Sequence, residues 1–216
     1  MKTLSKILTI GLIISLFSAC AIFRRKTVAE ALEATTQVAS RTSATHDEGV
    51  VINGVRWATR NVDMPGTFAP TPESSGMFFQ WNRKKAWNAT DRYVEGWDNT
   101  PAEGTKWYAE NDPCPQGWRV PTRAELYSLR DAGHELTTIN GASGSLFGIV
   151  PNQIFLSFAG FRNDFNGLLV NVHGIYWSST QDSNTRAWCL GFSRGGSSSV
   201  AEGYRASGFS VRCVAK

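Results

Sequence analysis

All eight tryptophans of this chain lie beyond Val50, and they constrain the fold more than any other feature of the sequence. The same part of the chain is rich in phenylalanine and glycine, and no long stretch of it repeats with the period of an amphipathic helix. Residues 61–112 combine Pro, Gly, Asn and Trp, which predicts loops that pack by their aromatic side chains. The sequence therefore predicts a loop-rich α+β domain with short antiparallel sheets and one or two helices, and it disfavours a helical bundle.

The N-terminus has the three parts of a bacterial export signal. Residues 1–6 carry two lysines, Ile7–Phe17 is an apolar run, and two small residues precede Cys20. The apolar run is shorter than the roughly 20 residues that span a bilayer. We therefore predict that residues 1–19 form a signal peptide.

The sequence Phe-Ser-Ala-Cys that ends at Cys20 resembles the lipobox of bacterial lipoproteins, with phenylalanine where leucine is usual. The resemblance implies cleavage before Cys20 and acylation there, and two or more acyl chains anchor a protein stably. The alternative is ordinary secretion, with Cys20 inside the discarded peptide. If Cys20 is lipidated, we expect an outer-membrane lipoprotein that is exposed at the cell surface. Residues 20–49 would then be a tether, with a short helix over Val28–Val38.

Charge and composition narrow the possible partners. Without the two lysines of the signal peptide the chain has 20 basic and 18 acidic residues, a net charge of about +2, so we expect no nucleic-acid partner. The predicted domain, residues 50–216, is long enough to bury a core without metal support. The three histidines lack the spacing of a zinc site; they are His46 in the tether and His134 and His173 in the domain. We expect no metal and no cofactor.

Three cysteines follow Cys20, in a compartment that permits disulfides. Cys114 lies in a rigid Asp-Pro-Cys-Pro turn, and Cys213 lies in the strand expected to close the domain. A bond between them would close a loop of about 100 residues, for which the chain-entropy model gives ~4 to 5 kcal/mol of stabilisation. We predict this disulfide, which leaves Cys189 as an unpaired thiol.

Local signals place several secondary-structure elements. Asn53-Gly54 between apolar residues predicts a β-hairpin. The Thr-Arg-Ala-Glu sequence at 122–125 is a capping box, which predicts a helix over about 122–132. Apolar runs predict strands over 154–162 and 174–179.

Four motifs follow one another along about 165 residues: CPQGWRVPTRAEL at 114–126, AGFR at 159–162, YWSST at 176–180 and VRCV at 211–214. Together they resemble the Fibrobacter succinogenes major paralogous domain. This resemblance implies a C-type-lectin-like fold related to formylglycine-generating enzymes, with chain ends that meet. It also implies a lipoprotein of Bacteroidetes or related bacteria.

The last forty residues carry a narrower resemblance. In the segment 187–193, bulky apolar residues alternate with small residues or cysteine. We expect the bulky residues to point inward; these are Trp188, Leu190 and Phe192. We expect the others to point outward; these are Cys189, Gly191 and Ser193. The outward set has low strand propensity. Together with the Ser- and Gly-rich run that follows, this pattern is similar to the variable regions of proteins diversified by retroelements, in which solvent-facing positions of a lectin-like scaffold are mutated.

This resemblance implies a ligand-binding face within residues 181–207. The residues predicted to contact ligand are Gln181, Ser183, Thr185, Arg186, Cys189, Gly191, Ser193, Arg194, Gly195, Ser197, Ser199, Ala201, Gly203, Tyr204, Ala206 and Ser207. Aromatic and arginine side chains dominate protein interfaces, so we expect Tyr204, Arg186, Arg194 and the edges of Trp188 to matter most. The expected partner is a protein or a glycan at the cell surface.

Other interpretations of this region stay open. Gly191–Gly203 could be a flexible Ser/Gly-rich hairpin without a special role. A binding surface of fixed specificity is a further alternative, including that of a structural or adhesive subunit such as a pilus-tip component. Arg41 in the tether would allow proteolytic processing in that case.

An enzyme is the least favoured interpretation. Residues 191–195 match the Gly-x-Ser-x-Gly motif, but no helical pattern and no histidine follow them. Asp91, Glu95 and Asp98 could be paired carboxylates of a glycoside hydrolase, but solvated surface charges explain them better. The calcium-binding tripeptides of C-type lectins, Glu-Pro-Asn and Trp-Asn-Asp, do not occur in the sequence.

Overall fold

The computed structural model describes residues 28–40 and 42–216. The chain divides into two compact units, with the boundary between Ser43 and Ala44. In the first unit, residues 28–40 form helix α1, which confirms the helix predicted for the tether. The predicted signal peptide and Cys20 lie outside the described residues. None of the described helices is long and apolar enough to cross a membrane.

The second unit is built from short elements joined by loops. The strands are β1 (Val50–Ile52), β2 (Val55–Asn61), β3 (Phe78–Gln80), β4 (Ala86–Trp87), β5 (Trp118–Arg119), β6 (His134–Ile139), β7 (Ala142–Ile149), β8 (Asn152–Ser157), β9 (Phe161–Arg162), β10 (Leu169–Val170), β11 (His173–Gln181), β12 (Arg186–Ser193), β13 (Ser198–Tyr204), β14 (Gly208–Phe209) and β15 (Arg212–Ala215). Helix α2 spans Arg123–Asp131, and a 3-10 turn spans Ala109–Asn111.

The strands form four antiparallel sheets. Their orders are β1-β2-β15-β5, β10-β9-β14-β3-β4, β11-β12-β13 and β6-β7-β8. In the first sheet the C-terminal strand pairs with the start of the domain, because Val214 lies opposite Trp57. The two ends of the domain therefore meet, and the loop-rich α+β prediction is confirmed.

Most local predictions agree with the structure. The β1–β2 hairpin turns at Asn53 and Gly54, which both have positive φ, as the Asn-Gly signal requires. Strand β11 contains the predicted strand 174–179. The single strand predicted over 154–162 is wrong, because the chain breaks into β8 and β9, which belong to different sheets. Gly160 lies at the break with φ of 83°, and a Cβ there would stand 2.4 Å from the carbonyl oxygen of Val170.

Helix α2 begins at the predicted capping box. The backbone N–H of Glu125 donates to the Thr122 hydroxyl, and the Glu125 carboxylate accepts from the Thr122 backbone N–H. Glu125 also accepts two hydrogen bonds from the guanidinium of Arg119, at 2.6 and 2.9 Å. Leu126 and Leu129 are the buried face of the helix.

The sheet β11-β12-β13 lies between two groups of buried side chains. On one side, Leu190 and Val200 pack in one cluster with Leu126 and other apolar residues of α2, β7 and β8. On the other side, Ala187 packs in a second, aromatic-rich cluster with residues of the loops and of the other sheets. This central position decides which residues of the sheet can reach solvent.

Three arginines are almost fully buried, namely Arg162, Arg205 and Arg212. Each donates hydrogen bonds to carbonyl or amide oxygens and to no carboxylate among the described residues. Arg212 bonds the side chain of Asn61 at 2.7 Å and the carbonyl oxygen of Phe155 at 3.0 Å. Burial lowers the pKa of Arg212 to about 10, so it remains charged at neutral pH.

The predicted disulfide between Cys114 and Cys213 is present and links positions 99 residues apart. We predict that a Cys114→Ser, Cys213→Ser variant loses about 2 to 5 kcal/mol of unfolding free energy, because the unfolded chain gains loop entropy. Urea unfolding followed by tryptophan fluorescence measures the loss. Reduced wild-type protein is the matched control and should unfold like the variant; a loss below about 1 kcal/mol would contradict the prediction.

Candidate ligand-binding surface

The predicted ligand-binding face lies on strands β12 and β13 and on the turns at their ends. The register pairs Arg186 with Tyr204, Trp188 with Glu202, and Gly191 with Ser199. Side chains of directly opposed residues point to the same side of a sheet. The first two pairs therefore lie on the α2 side, and the third pair lies on the opposite side.

Exposure divides the sixteen predicted contact residues into three groups. Those exposed to solvent are Ser183, Thr185, Arg194, Gly195, Ser197, Ser199, Ala201 and Tyr204. Those that are half-buried are Gln181, Arg186, Gly191, Ser193 and Gly203. Those that are buried are Cys189, Ala206 and Ser207.

The prediction of an outward-facing Cys189 is wrong. Its side chain is on the same side of β12 as Ala187 and belongs to the aromatic-rich cluster that also contains Trp177 and Phe209. The alternation of bulky and small residues predicts one buried and one solvated face, but both faces of β12 are covered at this point. The small side chain fits a crowded interior.

Burial also changes the chemistry of Cys189. Loss of solvation, with a smaller contribution from the charge of Glu202, raises the pKa of the thiol to about 12. The thiol donates a weak hydrogen bond to the carbonyl oxygen of Ala201, at 3.4 Å. Since the thiolate is the reactive form of cysteine, Cys189 is a core side chain and not a reactive surface thiol.

Ala206 and Ser207 are likewise removed from the predicted surface. The turn after β13 folds back into the core, where the backbone N–H of Ser207 donates to the carbonyl oxygen of Tyr204. The side-chain amide of Gln80 donates to the carbonyl oxygen of Ala206 at 2.8 Å. These contacts hold the turn beneath the sheet, so its side chains cannot reach a ligand.

Trp188 lies on the predicted side of β12, but it is only half-buried and carries an arginine on its ring. The Cζ atom of Arg123 lies 3.4 Å from the ring centroid of Trp188. Arg123 donates to the hydroxyl of Tyr127 at 3.2 Å, while its buried Nε–H has no partner among the described residues. Arg123 and Tyr127 therefore extend the surface onto helix α2.

Neither Arg123 nor Tyr127 is among the contact residues predicted from the sequence, because residues 122–125 predict only the start of a helix. The spacing of four residues between Arg123 and Tyr127 does place them on one side of the helix. Nothing in the sequence, however, shows that this side meets Trp188, which is 65 positions further along the chain.

Two further arginines stack on aromatic rings. The Cζ atom of Arg186 lies 4.1 Å from the ring centroid of Tyr204, and that of Arg194 lies 5.4 Å from that of Phe158. The ion pairs among the described residues involve neither of them, nor Arg123. The surface therefore presents positive charge on aromatic supports, an arrangement suited to acceptor-rich or anionic groups.

Buried Arg205 holds the edge of this surface in place. It donates from Nη2 to the side-chain oxygen of Gln181 at 2.9 Å and from Nε to the carbonyl oxygen of Arg186 at 3.3 Å. Its Nη1 donates to the carbonyl oxygens of Ala102 and Gly104, both at 2.9 Å. Arg205 thus acts through its neighbours and does not itself face a ligand.

Comparison with known proteins identifies a family. The family model described as Lcl C-terminal domain matches residues 52–215, and this family is linked to Fibrobacter major paralogous domain proteins. No curated protein and no solved structure gives a significant match.

We predict that Cys189 resists alkylation in the folded protein. With its pKa raised to about 12, the thiolate fraction at pH 8 is about a thousandfold below that of an ordinary thiol. Iodoacetamide labelling of the peptide that contains residue 189, followed by mass spectrometry, should be slow until guanidinium unfolds the chain. A Ser199→Cys variant is the matched exposed control and should label rapidly. Equal rates at both positions would contradict the buried placement.

Proposed function

Because this chain belongs to the Lcl C-terminal domain family, we propose that it is a surface-displayed, ligand-binding lipoprotein. The signal-peptide pattern and the lipobox-like sequence before Cys20 support export and lipid attachment. The family membership and the four motifs support a C-type-lectin-like scaffold related to the Fibrobacter major paralogous domain. Binding, not catalysis, is the proposed activity.

The observation that carries this proposal is the row of arginine–aromatic stacks beside β12 and β13. Arg123 on Trp188 and Arg186 on Tyr204 lie on the side of the sheet that faces α2. Tyr204 is 46% exposed although it is a large aromatic residue. Stacking fixes the guanidinium groups while leaving donors available, which lowers the entropy lost when a ligand binds.

We propose that the ligand is a protein or glycan that presents hydrogen-bond acceptors or negative charge to these arginines. Arginine binds carboxylate, phosphate and sulfate groups through paired donors. Tyr204 is exposed, which leaves its ring accessible to such a ligand.

We further propose that a retroelement diversifies the exposed part of this surface. The loop 194–197 and strand β13 hold most of the exposed predicted positions, and these positions carry small or polar residues. Buried positions between them, such as Val200 and Leu190, would remain constant because they pack against α2. The buried Cys189 belongs with the constant positions.

We predict that Tyr204→Ala and Arg186→Ala each weaken binding at least about tenfold, which corresponds to about 1.4 kcal/mol. The measurement screens the protein on glycan and protein arrays and then titrates each hit with the variants. Phe165→Ala is the matched control, because Phe165 is 76% exposed and lies outside the surface. If both variants bind like wild type while remaining folded, the ligand site lies elsewhere.

The gene neighbourhood tests diversification independently of any ligand. We expect a reverse-transcriptase gene and a near-copy of the last hundred or so bases of this gene, differing from it only at adenines. The differences should fall in codons of exposed residues such as Ser199 and Tyr204. They should spare Val200 and Leu190, because a polar side chain at either buried position would destabilise the fold. A neighbourhood without these two elements would leave a binding surface of fixed specificity.

A further inference from the structure

Beyond the proposed function, we propose that a second cleft, between β4 and the loop that follows it, binds a neutral saccharide. The cleft has a volume of about 390 Å³, within the range of small-molecule sites. Its lining residues are Lys85, Ala86, Trp87, Asn88, Asp91, Tyr93, Val94 and Glu95. None of them belongs to the ligand-binding face on β12 and β13.

The aromatic residues of the cleft are the first argument. Tyr93 is 63% exposed, and because the Cζ atom of Arg92 lies over one side of the ring, 5.5 Å from its centroid, the other side is left for the C–H face of a sugar. Trp87 is 5% exposed, and its indole N–H has no acceptor among the described residues. An indole can only donate, and buried donors normally have a partner. A ligand hydroxyl would supply the missing acceptor.

The charged residues of the cleft indicate a neutral ligand. Asp91 and Glu95 offer carboxylate acceptors, whereas Lys85 is the single cation among the lining residues. The Nζ atom of Lys85 lies 3.9 Å from the ring centroid of Trp87 and donates to the carbonyl oxygen of Gly96 only at the long distance of 3.5 Å. Donors therefore remain available beside the two acceptors. Sugar hydroxyls both donate and accept, which suits a cleft that offers carboxylate acceptors and ammonium donors together, whereas an anionic ligand would have Lys85 as its one cationic partner among the lining residues.

One wall of the cleft is fixed from behind by a buried cation. Arg162 donates to the carbonyl oxygen of Asn88 at 2.6 and 3.0 Å, to its side-chain oxygen at 2.9 Å, and to the carbonyl oxygen of Asp91 at 2.9 Å. The backbone N–H of Asp91 also donates to the side-chain oxygen of Asn88, at 2.8 Å. This wall is therefore ordered before a ligand arrives. Binding then costs little conformational entropy in the protein, which favours a small ligand that makes few contacts.

The test follows the indole N–H signals of the full mature chain in ¹H–¹⁵N spectra while a sugar is added. The probes are glucose, galactose, mannose and N-acetylglucosamine, each titrated through the millimolar range. Trp87→Phe identifies the Trp87 signal by its disappearance. We expect at least one sugar to move that signal to higher proton frequency in a saturable manner, because the N–H gains an acceptor. Glucuronate, the anionic counterpart of glucose, should bind more weakly than glucose.

Two variants separate binding in the cleft from general effects. Tyr93→Ala should weaken the saturable shift at least about tenfold, and its remaining indole signals report that the fold persists. Phe165→Ala removes an exposed aromatic outside the cleft and should bind sugar like wild type. The proposal is overturned if no probe moves the Trp87 signal saturably, or if Tyr93→Ala binds as tightly as wild type. Neither result bears on the ligand binding proposed for the surface on β12 and β13.

Discussion

The hydrogen bonds between buried guanidinium groups and loop carbonyls are the interaction on which this domain depends. Short strands joined by long loops leave many carbonyl oxygens without a partner in a sheet, and a buried carbonyl without a donor is costly. Arg162 and Arg205 place several donors among such oxygens, and Arg212 bonds one carbonyl oxygen of β2 and one of β8. A buried cation without a carboxylate would ordinarily destabilise a protein. Here the cations are retained because backbone carbonyls and side-chain amides solvate them in place of water.

These arginines also explain why exposed loops can form binding surfaces. Arg212 joins β2 to the last strand, β15, beside the disulfide, since it bonds both Asn61 and Ala58 while Cys213 follows it in β15. Arg205 fixes the edge of the surface on β12 and β13 from beneath. Arg162 does the same for the wall of the cleft beside β4. The side chains of both surfaces are therefore held on a rigid support, and they do not have to stabilise that support themselves.

The sequence was sufficient for features that depend on neighbouring residues. The capping box at Thr122, the Asn53-Gly54 turn and the helix in the tether each follow from interactions within a few positions, and the structure has all three. The disulfide could be predicted because few cysteines were available. The sequence could not predict which residues surround each strand in the folded domain. The alternation at Cys189 has the period of a half-solvated strand, but the aromatic cluster on its small-residue side is assembled from distant loops.

This double burial narrows the part of the C-terminal region that can tolerate diversity. From Ala187 to Leu190, β12 has a packed cluster on either side of the sheet, so a charged or bulky residue at Cys189 would be left unpaired or would clash with the core. Exposure increases only at Gly191, where a side chain would meet no neighbouring atom within 4 Å, and continues through the turn and β13. A changeable surface must therefore be centred on the turn and the outer strand, with Tyr204 and its arginine partner at one end. The stack of Arg123 on Trp188, on the same side of the sheet as Tyr204, would then be the constant part of the site, beside which the variable Tyr204 contributes to ligand selection.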